Sequence, residues 1–164
     1  MVFYFFRNTT LMRSFNKNGT ILWTQSYGGN DTENAYSIDI MNDRGYIIGG
    51  NTYSYGAGGA DGYIVKTDSA GNFEWQRTFG TTENDHNVYD VETTANGDIL
   101  VASGEWKYKD AQNFDYNQAF LARVDENNNL LWKKNYGSER RYSATFTGVK
   151  ELADSSIVAI GVLT

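Results

Sequence analysis

His86 is the only histidine of the 164-residue chain, and there is no cysteine. The nitrogen and sulfur ligands of a structural zinc site are therefore missing, and disulfides, iron–sulfur clusters and thiol nucleophiles are excluded. His86 stands as the sole imidazole base, in the loop segment GTTENDHN, where polar surface is its ordinary role. Asn30, Asp31 and Glu33, with Glu83, Asn84 and Asp85, offer oxygen ligands of the kind that hold Ca²⁺. Their spacing is not that of an EF-hand loop, and solvated loops carry the same residues. Asp31 with Asp85 is the carboxylate pair available for acid–base work on a glycan. Ser26, Ser54 and Ser103 lie outside any G-x-S-x-G context. Gly56 to Gly59 is followed by no Lys-Ser or Lys-Thr and opens no helix, so it is not a phosphate loop. The aromatic candidates are Tyr53 and Tyr55 in one segment, and Trp106, Tyr108, Phe114 and Tyr116 in another. Such side chains bring large contact area at low entropic cost, suited to a sugar ring or a protein partner.

These residues fall between the units of an internal repeat. NKNGTILWTQSYGG from Asn16, DSAGNFEWQRTFGT from Asp68 and DENNNLLWKKNYGS from Asp125 align on Trp23, Trp75 and Trp132, spaced by 52 and 57 positions. Tyr27, Phe79 and Tyr136 keep those spacings. A second block, from Ala35, Val88 and Phe146, recurs at 53 and 58, so the loop before it grows by one residue each time. DGYIVKTD from Asp61 matches QAFLARVD from Gln118, and more loosely LMRSFN from Leu11.

Period-2 alternation and turn chemistry make each unit four short strands: AYSIDI, GYIIGG, DGYIVKT and NFEWQRTF. Asn42 to Gly45 reads as a tight turn, and Gly71 suits a positive-φ position. No segment carries a helical apolar stripe, and none approaches the length needed to cross a bilayer as a helix. The fold class is therefore all-β. The repeated Trp, aromatic and Gly positions are read as packing and turn residues.

Four antiparallel strands in 52 to 57 residues is the pattern of a propeller blade. The unit resembles the bacterial β-propeller repeat family, in which a blade carries W-x-x-x-[YF]-G-G, then S-I, then D-G-G-Y-I-V-x-G, then D-x-Y-L-V-K-L-D-x-x-G-N. The residues carrying the resemblance are Trp23, Tyr27, Gly28, Gly29, Ser37, Ile38, Asp43, Gly45, Tyr46, Asp61, Tyr63, Lys66 and Asp68. Arg44 replaces the first Gly of the paired turn glycines, Asp98 a second, and Ser155-Ser156 both. The resemblance covers about residues 11–164 and implies a secreted or cell-surface setting. It leaves function open, because propellers host unrelated activities.

The expected organisation is a single repeat domain spanning 1–164, with three blade equivalents. Residues 1–29 supply two strands of a shared blade, 35–80 and 87–137 form whole blades, and 143–164 supply the other two strands. Closed propellers have about four to eight blades, so oligomerisation or further blades are needed for closure. A homodimer forming a six-bladed ring is one resolution and a fragment of a longer propeller the other. The opening MVFYFFRNTT has too short an apolar run for a secretion signal and reads as mature strand.

In a meander the short turns share one face and the longer connections the other: 28–34, 51–60, 80–87, 104–117 and 137–142. Function tends to sit on such loops. The expected function is a non-catalytic binding or scaffold module presenting them, its partner a protein or a glycan. A lectin-like propeller using Tyr53, Tyr55, Trp106, Tyr108 and Tyr116 is the alternative, and a glycan-active enzyme a third. The metal candidates are Asn30, Asp31, Glu33, Glu83 and Asp85, with Ca²⁺ as the ion. A net charge of −6 argues against nucleic acid, and membrane insertion is not expected.

Overall fold

The structure, a computed structural model, describes residues 9–82, 86–109, 115–137 and 143–163, and for 105–109 and 115–117 the backbone alone. The described residues are all-β, in twelve strands. β1 (Thr10–Phe15) and β2 (Ile21–Tyr27) form a two-stranded sheet. β3 (Glu33–Ile40), β4 (Tyr46–Thr52), β5 (Asp61–Thr67) and β6 (Phe73–Phe79) form a four-stranded meander. β7 (His86–Thr93), β8 (Ile99–Lys109), β9 (Asp115–Val124) and β10 (Leu130–Tyr136) form a second. β11 (Ala144–Glu151) and β12 (Ile157–Leu163) form a final pair. Every pairing is antiparallel between consecutive strands, as in propeller blades.

The sheets pack face to face in chain order, with one apolar layer per joint. Met12, Tyr27, Ile48, Tyr63 and Val65 fill the first, under Trp23 and Tyr46. Met41, Ile47, Ile64 and Phe79 meet Val88, Val91, Val101 and Phe120 in the second, with Trp75. Leu100, Ala102, Leu121 and Val149 fill the third, with Trp132. β4 and β5 are covered on both faces, which is why YIIGG and YIV are continuous apolar runs. The three repeat tryptophans lie one in each layer. Trp75 also donates its indole N–H to the Glu126 carbonyl of the next sheet at 3.0 Å.

Six five-residue turns share one hydrogen-bond pattern, beginning at Asn16, Met41, Asp68, Thr94, Asp125 and Leu152. The fourth residue always has positive φ: Gly19, Arg44, Gly71, Gly97, Asn128 and Ser155. The turns before β2, β6 and β10 open on an Asn or Asp whose Oδ1 accepts two amides of its own turn. For Asp68 these are Ala70 and Asn72, both at 2.8 Å. Arg44, Asn128 and Ser155 hold the left-handed conformation without a glycine.

Polar contacts repeat along the strands that open each sheet. Asp39 Oδ2 accepts the Thr93 amide at 2.7 Å, and Glu92 Oε1, one repeat on, accepts the Glu151 amide at 3.2 Å. Ser37 donates to Asp90 Oδ1 at 2.6 Å, and Asp90 Oδ2 accepts the Val149 amide at 2.9 Å. Neighbouring sheets are thus tied by acidic side chains bound to backbone.

Two expectations are corrected. His86 lies in β7, fully buried against Phe120 with ring centroids 6.0 Å apart, not on a polar loop surface. It occupies the position that Glu33 holds one repeat earlier, where the strand start is packed under the preceding sheet. Second, 104–117 is not one long loop. β8 and β9 run on as a paired hairpin, with Trp106 opposite Asn117 and Lys107 opposite Tyr116. The alternation of Glu105, Trp106, Lys107 and Tyr108 was the strand signal.

Candidate binding face

Among the described residues, the connections before β3 and after β4 meet at one end of the β3–β6 sheet. The 28–33 and 52–57 loops are stitched to each other through Glu33, which is buried. Its carboxylate accepts the Thr52 hydroxyl at 2.9 Å and the Gly29 amide at 3.2 Å. Thr52 Oγ1 accepts the amides of Ser54 and Tyr55, the Ser54 hydroxyl accepts the Asp31 amide at 2.8 Å, and Tyr53 N–H reaches the Thr32 carbonyl. Glu33 thereby links the two loops. Asn30 and Asp31 are exposed, and Asp31 caps the Thr32 amide. Glu83 and Asp85 lie outside the described residues. Among the described residues no three of His, Asp and Glu converge as metal ligands.

Tyr55 is pinned. Its ring stacks on Tyr63 at 5.9 Å between centroids, and its hydroxyl donates to the Gly28 carbonyl at 3.0 Å. Burial, with Tyr55 and Glu33 nearby, raises the Tyr63 phenol above its ordinary pKa. Tyr53 is half exposed at the rim. For Trp106, Tyr108 and Tyr116 the backbone places two residues on β8 and one on β9, and their side chains lie outside the described residues.

The structure adds residues that the sequence reading did not single out. Each sheet-opening strand carries a bulge at an equivalent place, between Ala35 and Ser37, Val88 and Asp90, and Phe146 and Gly148. A bulge leaves one residue outside the ladder and re-aims its side chain. The residues so released are Tyr36, Tyr89 and Thr147. Tyr36 and Tyr89 stack at 5.8 Å with 24° between planes. Burial first, then the phenols of Tyr89 and Tyr53, raise the pKa of Tyr36.

Beside this pair runs a row of amides. Asn34 Nδ2 donates to Asn51 Oδ1 at 2.9 Å, Asn51 Nδ2 to Asn87 Oδ1 at 2.5 Å, and Asn87 Nδ2 to the Tyr89 hydroxyl at 3.4 Å. The row crosses from the β3–β6 sheet to β7. Its signal in the sequence is recurrence: Asn34 and Tyr36 return one repeat later as Asn87 and Tyr89, 53 positions on. The third unit has Thr145 and Thr147 there, so the pattern stops after two. Chemically, the patch offers aromatic surface, phenol hydroxyls and oriented amides.

No protein-family model matches the chain, and no curated protein matches it.

Proposed function

We propose that the chain is a non-catalytic binding module of propeller type that holds its partner on the long-loop end of the sheets. The observation that carries the reading is the patch formed by Tyr36, Tyr53 and Tyr89 with Asn34, Asn51 and Asn87, fixed to two adjacent sheets. Rigid aromatics flanked by amides held in one orientation suit recognition without a rearrangement of the site. A secreted or cell-surface setting rests on the resemblance of the repeat to bacterial propeller repeats.

The composition of the patch favours a glycan as the finer reading. Tyrosine faces take the C–H face of a sugar ring, and the amides and phenols take its hydroxyls. The test presents the chain with arrays of neutral glucose and N-acetylglucosamine oligosaccharides and with arrays of extended peptides. Saturable binding to either class, weakened at least about tenfold by Tyr89→Ala and by Tyr53→Ala, is expected. Binding confined to the sugars establishes the finer reading, and binding confined to peptides replaces it with a protein partner. No binding to either class at about 1 mM overturns the module reading, as does binding that both substitutions leave unchanged.

A further inference from the structure

The two-stranded sheets at either end of the series are complementary halves. β1 and β2 occupy the places of the third and fourth strands of a blade: Trp23 sits opposite Ser14 as Trp75 sits opposite Lys66 and Trp132 opposite Arg123. β11 and β12 occupy the places of the first and second, bulge included. Among the described residues the outer edge of β12 and the outer edge of β1 have no strand beside them.

Positions that are buried in the inner sheets are apolar and exposed at these ends. Val158 is 51% exposed, whereas Ile47 and Leu100 at the equivalent places are at most 1% exposed. Ile160 is 70% exposed where Ala102 is fully buried, and Leu11 is 55% exposed where Phe120 is fully buried. On β3, Ile38 is 53% exposed where Val91 is 3% exposed. Between β1 and β3 lies an open cleft of about 280 Å³, lined by Thr10, Leu11, Met12, Tyr36, Ile38 and Ile48. That is the space a second strand of a blade fills in the inner sheets. A long apolar edge of this kind is a template for pairing.

We propose that the occupant is a second copy of this chain, whose β12 pairs with β1 and seats Val158 and Ile160 in this cleft. The registers of β4 with β5 and of β8 with β9 carry over through the repeat offsets and fix the pairing. They set Val158 of one copy opposite Ser14 of the other, Ala159 opposite Arg13, Ile160 opposite Met12 and Val162 opposite Thr10. Arg13 is the one charged residue in the joined rows, standing where Val65 and Ala122 stand. By the same equivalence Trp132 packs against the 16–20 turn of the other copy, as Trp75 packs against 125–129. Each copy contributes three blade equivalents, so two copies give six, within the range of closed propellers, and three copies would exceed it. The two-fold arrangement makes the same joint twice. This inference does not depend on what the loop face binds.

The native absence of cysteine permits a direct test on the full chain. In S14C/V158C the two thiols face each other across the proposed joint, whereas S14C/A159C puts them on opposite faces of the sheet. Oxidation of the first variant is expected to give a species of twice the chain mass on a non-reducing gel, with the linked peptides shown to come from two chains by isotope mixing. The second is expected to remain uncrosslinked. Independently, Ile160→Asp, at a side chain exposed in the single chain, is expected to weaken self-association at least about 30-fold while leaving the circular dichroism of the monomer intact. Crosslinking within one chain, equal crosslinking of both variants, a ladder of higher multiples, or unchanged association of Ile160→Asp each overturn the proposal.

Discussion

Asp90 joins three sheets through one carboxylate, and its removal should be felt well beyond a surface charge. Oδ1 accepts the Ser37 hydroxyl at 2.6 Å and Oδ2 the Val149 amide at 2.9 Å, at a partly buried site between β3, β7 and β11. Hydrogen bonds to a charged acceptor contribute about 1.5–3 kcal/mol each, and an orphaned buried amide costs about 1–3 kcal/mol. The Val149 residue is buried, so its amide has little access to water after truncation. The two losses overlap, and Asp90→Ala is expected to destabilise by about 2–4 kcal/mol. Asp90→Asn keeps an oxygen for Val149 and offers an N–H to Ser37, and it removes a negative charge from the neighbourhood of Asp39 and Glu92. It is expected to cost about 1 kcal/mol or less. Urea unfolding at one fixed protein concentration measures both. With a slope of about 2 kcal/mol per molar, Asp90→Ala lowers the midpoint by about 1–2 M. A midpoint within about 0.25 M of wild type for Asp90→Ala refutes the reasoning, as does equal damage from Asp90→Asn.

Two further predictions concern the turns and the titrating groups. Arg44→Gly and Ser155→Gly relieve a left-handed conformation at exposed turn positions, φ 69° and 64°, and should each stabilise by about 0.5–1 kcal/mol in the same urea assay. Destabilisation by both would show that their side chains make contacts that outweigh the strain. Asp43 is held below the ordinary carboxylate range first by the Lys66 ammonium. The Asn72, Asn129 and Ser156 side chains do the same for Asp68, Asp125 and Asp154. Folding lowers these values, so the unfolded chain takes up protons first. Their stabilisation is full above about pH 5 and is lost as pH falls through and below about 4. Tyr63 moves the other way, raised mainly by burial, so its contribution is present below about pH 10 and lost above it. Tm should therefore be flat near neutrality and fall at both extremes, and a Tm that climbs on acidification from pH 5 to 3 contradicts the assignment.

The strands were legible because each inner strand combines period-2 or continuous apolar patterning with a five-residue turn of fixed chemistry. β5, for example, is DGYIVKT between two breaks, and it forms at Asp61–Thr67 as the pattern requires. The tryptophan positions were legible as packing residues because they recur at the repeat spacing. The candidate site was less so. A bulge has no residue signature of its own, so Tyr36 and Tyr89 read as ordinary members of an alternating strand until the ladder showed them left out of it. The amide row depends on which strands lie side by side, and Asn51 and Asn87 are 36 positions apart. His86 was misread for the same reason: polar neighbours in sequence suggested surface, while tertiary packing placed the ring against Phe120. Glu33 reads from the sequence only as an oxygen ligand by type, and its link between two loops depends on tertiary contacts with Gly29 and Thr52.

The most direct test of the arrangement is the solution mass of the chain by light scattering over a range of concentrations. Complementary half-blades predict a species near twice 18.5 kDa that dissociates on dilution without unfolding. A stable monomer at all concentrations, or a distribution of open multimers, would contradict it.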